Sequence, residues 1–219
     1  MERIAIFDLD GTLLNTLPDI AGSMNRSLKK LGLPTHDVQK YRLFTGNGSK
    51  VLTERALGDD NMQCFDELHT LYRDDYAKNS RRDTKPYDGI VNMIAALKKA
   101  NCHILVYSNK DDSDVKSVMG YYLPQINHVA GKVEGFAPKP DTAGLVNEIN
   151  KLNIKKPYEV YYIGDTITDM QCAKNLGAVS IAVTWGFQNK EMLSSENPDF
   201  FVDTPCDVVK IILGDIDEV

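Results

Sequence analysis

The run Ile4-Ala5-Ile6-Phe7-Asp8-Leu9-Asp10-Gly11-Thr12 constrains the fold of this chain more than any other stretch. Four consecutive apolar residues without alternation are expected in a parallel strand covered on both faces, and the run stops at two carboxylates that an apolar core would not hold. Asp8 and Asp10 therefore belong at the strand's carboxyl end. In open α/β sheets that edge is where ligands bind. One residue apart on extended backbone, the two acids can face the same side while Leu9 returns to the core, so their charges converge and call for a cation. Mg²⁺, a hard ion that prefers oxygen ligands, suits the pair. Gly11 permits a sharp exit at positive φ. A calcium loop fits poorly, because counting from Asp8 the sixth residue is Leu13 instead of Gly and the twelfth is Asp19 instead of Glu. A solvated turn stays open for this stretch taken alone.

A chain of 219 residues suits one α/β domain plus a modest insertion. Its net charge of −6 argues against nucleic acid or an anionic membrane as the main partner and favours small molecules. No apolar run has the length of a membrane span, and the first strand begins at the N-terminus, so neither a membrane segment nor a signal peptide is expected. Cys64, Cys102, Cys172 and Cys206 are dispersed, without zinc spacing, as expected of reduced thiols in a cytoplasmic protein.

After Thr12 a helical period sets in, with helices expected near 17–31, 37–42, 49–57 and 62–77 and no strand among them. A block of helices placed directly after the first strand reads as a small second domain, with hinges near Asn15–Leu17 and Ser80–Pro86. From Asp88 onward helices and strands alternate, with strands expected at 103–107, 127–130, 160–163, 179–183 and 200–202. The expected fold is α/β: a Rossmann-like, doubly wound parallel sheet (1–15 and 81–219) carrying a small all-helical cap domain (16–80).

Four polar clusters follow strands or strand-like stretches: Asp8 with Asp10, Ser108 with Asn109, Lys139, and Asp165 with Asp169. Parallel strands gather their carboxyl ends along one edge, so these distant residues are expected to converge there. Each has a plainer reading. Ser108 could cap a helix, Lys139 could be solvated beside its prolines, and Asp165 could be an acid at a helix start.

Taken together and in order, Asp8-Leu9-Asp10-Gly11-Thr12-Leu13, Ser108-Asn109-Lys110, Lys139-Pro140 and Gly164-Asp165-Thr166-x-x-Asp169 resemble the four motifs of the haloacid dehalogenase superfamily, over essentially the whole chain. The helical insertion after the first strand resembles that of members with a helical cap. Within that branch, Thr45-Gly46-Asn47-Gly48-Ser49, Val51-Leu52-x-Glu54-Arg55-Ala56-Leu57 and Val183-Thr184-Trp185-Gly186-Phe187 are most similar to phosphoglycolate phosphatases.

The resemblance implies a Mg²⁺-dependent phosphatase acting on a small phosphorylated metabolite through an aspartyl-phosphate. Asp8 would be the nucleophile and Asp10 the acid and base. Mg²⁺ would be held by Asp8, the Asp10 carbonyl and Asp165, with Asp169 behind them. Ser108, Asn109 and Lys139 would bind the phosphoryl oxygens. An acid at Asp10 separates this chemistry from carbon–halogen cleavage, because an alkoxide needs a proton and a halide does not. The same residues would also serve a sugar-phosphate mutase, and a binding module that kept the fold without turnover is the reading from a different class. A monomer or a homodimer is expected.

The cap is uneven in charge. Residues 42–55 carry a net +2 and residues 56–75 a net −5, which suggests that the Gly46, Asn47, Gly48 and Lys50 loop faces an anionic substrate and the acidic helix faces solvent. Charge runs are also commonly just solvated faces, and Gly-Asn-Gly can be only a turn.

Overall fold

The computed structural model describes residues 1–214, so the last five residues of the expected core segment lie outside the described residues. In chain order the elements are β1 (Glu2–Phe7), β2 (Leu14–Asn15), α1 (Leu17–Lys30), α2 (Tyr41–Phe44), α3 (Ser49–Leu57), α4 (Phe65–Asn79) and β3 (Lys85–Pro86). Then follow α5 (Ile90–Lys99), β4 (His103–Tyr107), α6 (Asp112–Tyr122), β5 (His128–Ala130), α7 (Ala143–Lys151), β6 (Tyr158–Gly164) and α8 (Ile167–Leu176). The last are β7 (Val179–Val183), α9 (Lys190–Ser194), β8 (Phe200–Val202) and α10 (Pro205–Leu213).

Six strands form one parallel sheet in the order β5-β4-β1-β6-β7-β8. β1 is central and covered on both faces, as its unbroken apolar run requires. Ala5 and Phe7 pack on one side with Ile90, Ile94, Val115 and Val208, while Ile4 and Ile6 pack on the other with Leu145, Ile149 and Cys172. The chain leaves β1 toward β4 and β5 and then crosses to β6 on the other side. That reversal puts a crevice at the carboxyl end of β1.

The helices between β2 and β3 have an apolar core of their own. α1 buries Leu17, Ile20, Ala21, Met24 and Leu28, spaced three, one, three and four residues apart along one face, against Tyr41, Leu52, Leu68, Tyr72 and Tyr76. Phe187, from the loop after β7, packs into this cluster and ties it to the sheet. At the expected hinges lies an antiparallel ribbon in which Leu14 and Asn15 pair with Pro86 and Lys85. The Asp19 carboxylate buttresses it by accepting the Asp83 and Thr84 amides at 3.0 and 2.9 Å.

All four cysteines are free thiols. Among the described residues no helix is long and apolar enough to cross a membrane.

Candidate active site

Asp8 lies at the end of β1, where the chain turns, and Leu9 is fully buried as the spacing predicts. Gly11 makes the turn at φ 91°, and a Cβ there would sit 2.2 Å from an Asp165 oxygen, so only glycine lets the two strand ends approach. Gly164, at the end of β6, is constrained likewise: a Cβ would meet the Asp169 Cβ at 2.3 Å. Carboxylate oxygens of Asp8, Asp165 and Asp169 lie within 4.8 Å of one another, and all three residues are buried.

Among the described residues one cation, Lys139, serves this cluster. Its Nζ donates to Asp8 Oδ1 at 2.8 Å, to Asp169 Oδ1 at 2.7 Å and to the Tyr107 carbonyl at 3.2 Å. Burial opposes the lysine's charge, but Asp169 and Asp8 outweigh it and hold the ammonium well above its ordinary range. Asp169 Oδ2 is bound by the Thr166 amide and hydroxyl, which form a reciprocal cap at the start of α8. Asp165 receives the Thr12 hydroxyl at 2.7 Å and the Phe187 amide at 2.7 Å, with no cation among its partners. Burial first, then Asp169 and Asp8, push its carboxyl well above the usual range. Asp8 is also raised, to about 6, by burial, against the pull of Lys139.

A cluster of three buried carboxylates with a single lysine is short of positive charge, and Asp165 is the member left without any. Three oxygen donors converging at this separation match what a hard divalent cation takes. A cation there would return the carboxyls to their ionised range.

Asp10 faces away from this cluster. Its carboxylate accepts the Thr16 hydroxyl at 2.6 Å and the Lys110 ammonium at 3.0 Å on each oxygen. Lys110 is itself buried, with Nζ 4.5 Å from the Tyr76 ring centroid. Burial disfavours its charge, but Asp10 and its neighbours keep the ammonium above its ordinary range. Ser108 follows β4, and its Oγ accepts the Lys110 amide at 3.3 Å. The Asn109 side chain links three segments: it donates to the Gly46 and Lys139 carbonyls at 3.1 and 3.2 Å, and accepts the Lys139 amide at 2.8 Å.

Above these residues is an open cleft, floored by Asp8, Asp10, Ser108, Asn109 and Lys110, flanked by Asp111 and Asp114, and roofed by Ile20, Leu52, Tyr72, Arg73 and the 45–49 loop. Gly46 and Gly48 line it. Asn47 does not: its Oδ1 accepts Arg55 Nη2 at 2.9 Å. Lys50 is exposed and lies off the cavity, because Gly48, at φ 87°, turns the chain into α3 so that Ser49 faces inward. The expectation that Lys50 faces substrate is thus corrected. The acidic helix is as expected only in part, since Asp59, Asp60, Asp66, Glu67 and Asp74 are exposed but Tyr72 and Arg73 turn into the cavity. Arg73 binds Asp111 and Asp114 across the seam, and Ser49 Oγ donates to Asp111 at 2.8 Å. Sequence reasoning missed Lys110, Arg73, Asp111, Asp114 and Thr16. Lys110 had a signal in its place directly after Ser108-Asn109.

Comparison with known proteins places this arrangement. The sequence model of the haloacid dehalogenase-like hydrolases matches residues 5–183. A phosphoglycolate phosphatase of Aquifex aeolicus is 29% identical over 216 residues, spanning 96% of each chain. One from Pseudomonas putida is 30% identical over 93% of this chain and 77% of its own. A crystal structure from Lactobacillus delbrueckii subsp. bulgaricus, provisionally named a phosphoglycolate phosphatase, superposes with a TM-score of 0.88 at 25% identity, covering 96% of this chain and 98% of that one.

Proposed function

The chain belongs to the haloacid dehalogenase-like hydrolases, and from that premise we propose that it is a Mg²⁺-dependent phosphatase that hydrolyses small phosphate monoesters through an aspartyl-phosphate on Asp8. The observation that carries this reading is Asp165, fully buried and without a cation, within 4.8 Å of a nucleophile candidate that a lysine orients. The names of the Aquifex and Pseudomonas relatives support 2-phosphoglycolate as a substrate. Residues 16–80 are proposed to act as a cap over a core of 1–15 and 81–219.

In this reading Asp8, Asp165 and the Asp10 carbonyl would hold Mg²⁺, with Asp169 behind them bracing Lys139. Bound there, the ion supplies positive charge against which an anionic phosphoryl group and a carboxylate can approach. The Asp8 carboxylate attacks phosphorus, the bond to the ester oxygen breaks, and its electron pair leaves with that oxygen. Asp10 gives the leaving oxygen a proton. It then takes one from water as the water displaces Asp8 and frees inorganic phosphate. Lys139, Ser108 and the Asn109 amide stabilise the transferring oxygens. Thr16 and Lys110 fix the Asp10 carboxylate between two donors, so it meets the leaving group in one orientation.

Phosphate release from a panel of phosphorylated metabolites is expected to be Mg²⁺-dependent and to stop in EDTA, returning when Mg²⁺ is restored. Release unaffected by EDTA, or absent over a broad panel, would reject this function.

A further inference from the structure

The cavity has two charged residues of positive sign on its wall, Lys110 and Arg73, and they are placed differently. Lys110 Nζ is committed to both oxygens of Asp10. Arg73 comes from α4, in the roof, and is pinned through a single nitrogen: Nη1 donates to Asp111 Oδ2 at 2.5 Å and to Asp114 Oδ2. Its Nε and Nη2 take no protein acceptor among the described residues, and the side chain is 28% exposed. A guanidinium is planar, so fixing one nitrogen between two carboxylates limits its orientation. The edge formed by Nε and Nη2 is a fork that matches a carboxylate with two parallel hydrogen bonds. The rest of the roof is Ile20, Leu52, Tyr72 and the 45–49 loop with its Thr45 and Ser49 side chains, so no other cationic side chain among the described roof residues competes for an anion.

We infer that Arg73 is the specificity-determining residue of this site, taking the carboxylate of a short phosphorylated hydroxy acid while the phosphoryl group sits over Asp8. This rests on the phosphatase reading above and adds to it which residue recognises the non-reacting end of the substrate. Asp111 and Asp114 hold the guanidinium in place. A residue that reads one end of the substrate affects esters bearing a carboxylate and spares those lacking it. An ion pair that merely joined the cap to the core would affect both alike.

The test compares kcat/KM for 2-phosphoglycolate and for its amide, 2-phosphoglycolamide, which keeps the phosphate and lacks the carboxylate charge. The wild type is expected to prefer the acid by about 100-fold, mainly through KM, as suits a well-oriented charge pair. Arg73→Met should bring the ratio to about 1, the acid losing about 100-fold more than the amide. Arg73→Lys, which keeps the charge but loses the fork, should retain part of the preference. An equal loss on both esters in Arg73→Met, or a wild type without preference, overturns the inference. The wild-type comparison stands even if the variants do not fold. If the amide and other esters without a carboxylate are hydrolysed and the acid has no advantage, this inference fails and the phosphatase reading stands. If no ester is hydrolysed, the phosphatase reading fails.

Discussion

Asp8→Asn is expected to lower phosphate release by about 10⁴-fold or more, with the fold intact. The amide has nearly the size of the acid but is a far weaker nucleophile, and Lys139 keeps Asp169 as a partner at 2.7 Å. Stability measured on the same variant separates lost chemistry from lost structure. Asp8 titrates at about 6 in the folded, metal-free chain against 3.8 for the free group. A carboxyl raised on folding disfavours the folded state when ionised; this cost is fully present above about pH 6, shrinks as pH falls through 6 and is gone below 3.8. In EDTA at pH 8 the variant should therefore be the more stable protein, by on the order of 3 kcal/mol. The gap in Tm should shrink to about half by pH 5 and close below about pH 3.8.

Lys139→Met has the second large effect, and it acts on both stability and turnover. The ammonium is 4% exposed and is the one cation bonded to the Asp8, Asp165 and Asp169 cluster among the described residues. Its loss leaves three converging carboxylates without a cation, and removing one member of a buried ion pair costs about 3–5 kcal/mol. In a chain of this size that corresponds to a fall in Tm of about 10 °C. Mg²⁺ should recover part of it by binding the folded state. Turnover should not recover, because the donor to the transferring phosphoryl oxygens is gone, a loss of about 10²–10³-fold by itself. Thermal unfolding with and without Mg²⁺, read beside kcat, checks both halves. Recovery of activity along with stability would show that the lysine's role is only structural.

Much of the fold and of the site is legible in the sequence, and the reasons differ by segment. β1 and its acids are readable because an unbroken apolar run that ends in two carboxylates fits little besides a buried strand meeting a ligand-binding edge. The stretch around Asp165 repeats that pattern after β6. The β2–β3 ribbon is not readable, since two residues per strand are too few to show a period, and the five residues of α9 are nearly as short. Arg73 is hidden by averaging. A net negative charge over a helix suggests a solvent face, yet one turn of α4 carries Tyr72, Arg73 and Tyr76 inward while Asp66, Glu67 and Asp74 face out. Lys50 is misplaced for a backbone reason, because the positive φ at Gly48 decides which residue of the loop meets the cavity. Adjacency to Ser108 and Asn109 puts Lys110 beside the site, but only the three-dimensional path of the loop brings its ammonium onto Asp10.

Chemical trapping tests most directly whether the phosphoryl group passes through a covalent acyl phosphate on Asp8. Enzyme turning over 2-phosphoglycolate with Mg²⁺ would be quenched, reduced with borohydride and digested, and the peptide spanning Asp8 read by mass spectrometry. A carboxyl activated as an acyl phosphate is reduced to an alcohol, and a free carboxylate is not. The expected result is homoserine at position 8, dependent on substrate, with Asp10, Asp165 and Asp169 unchanged. Rapid phosphate release with all four acids unreduced would contradict the account and point to direct attack by water.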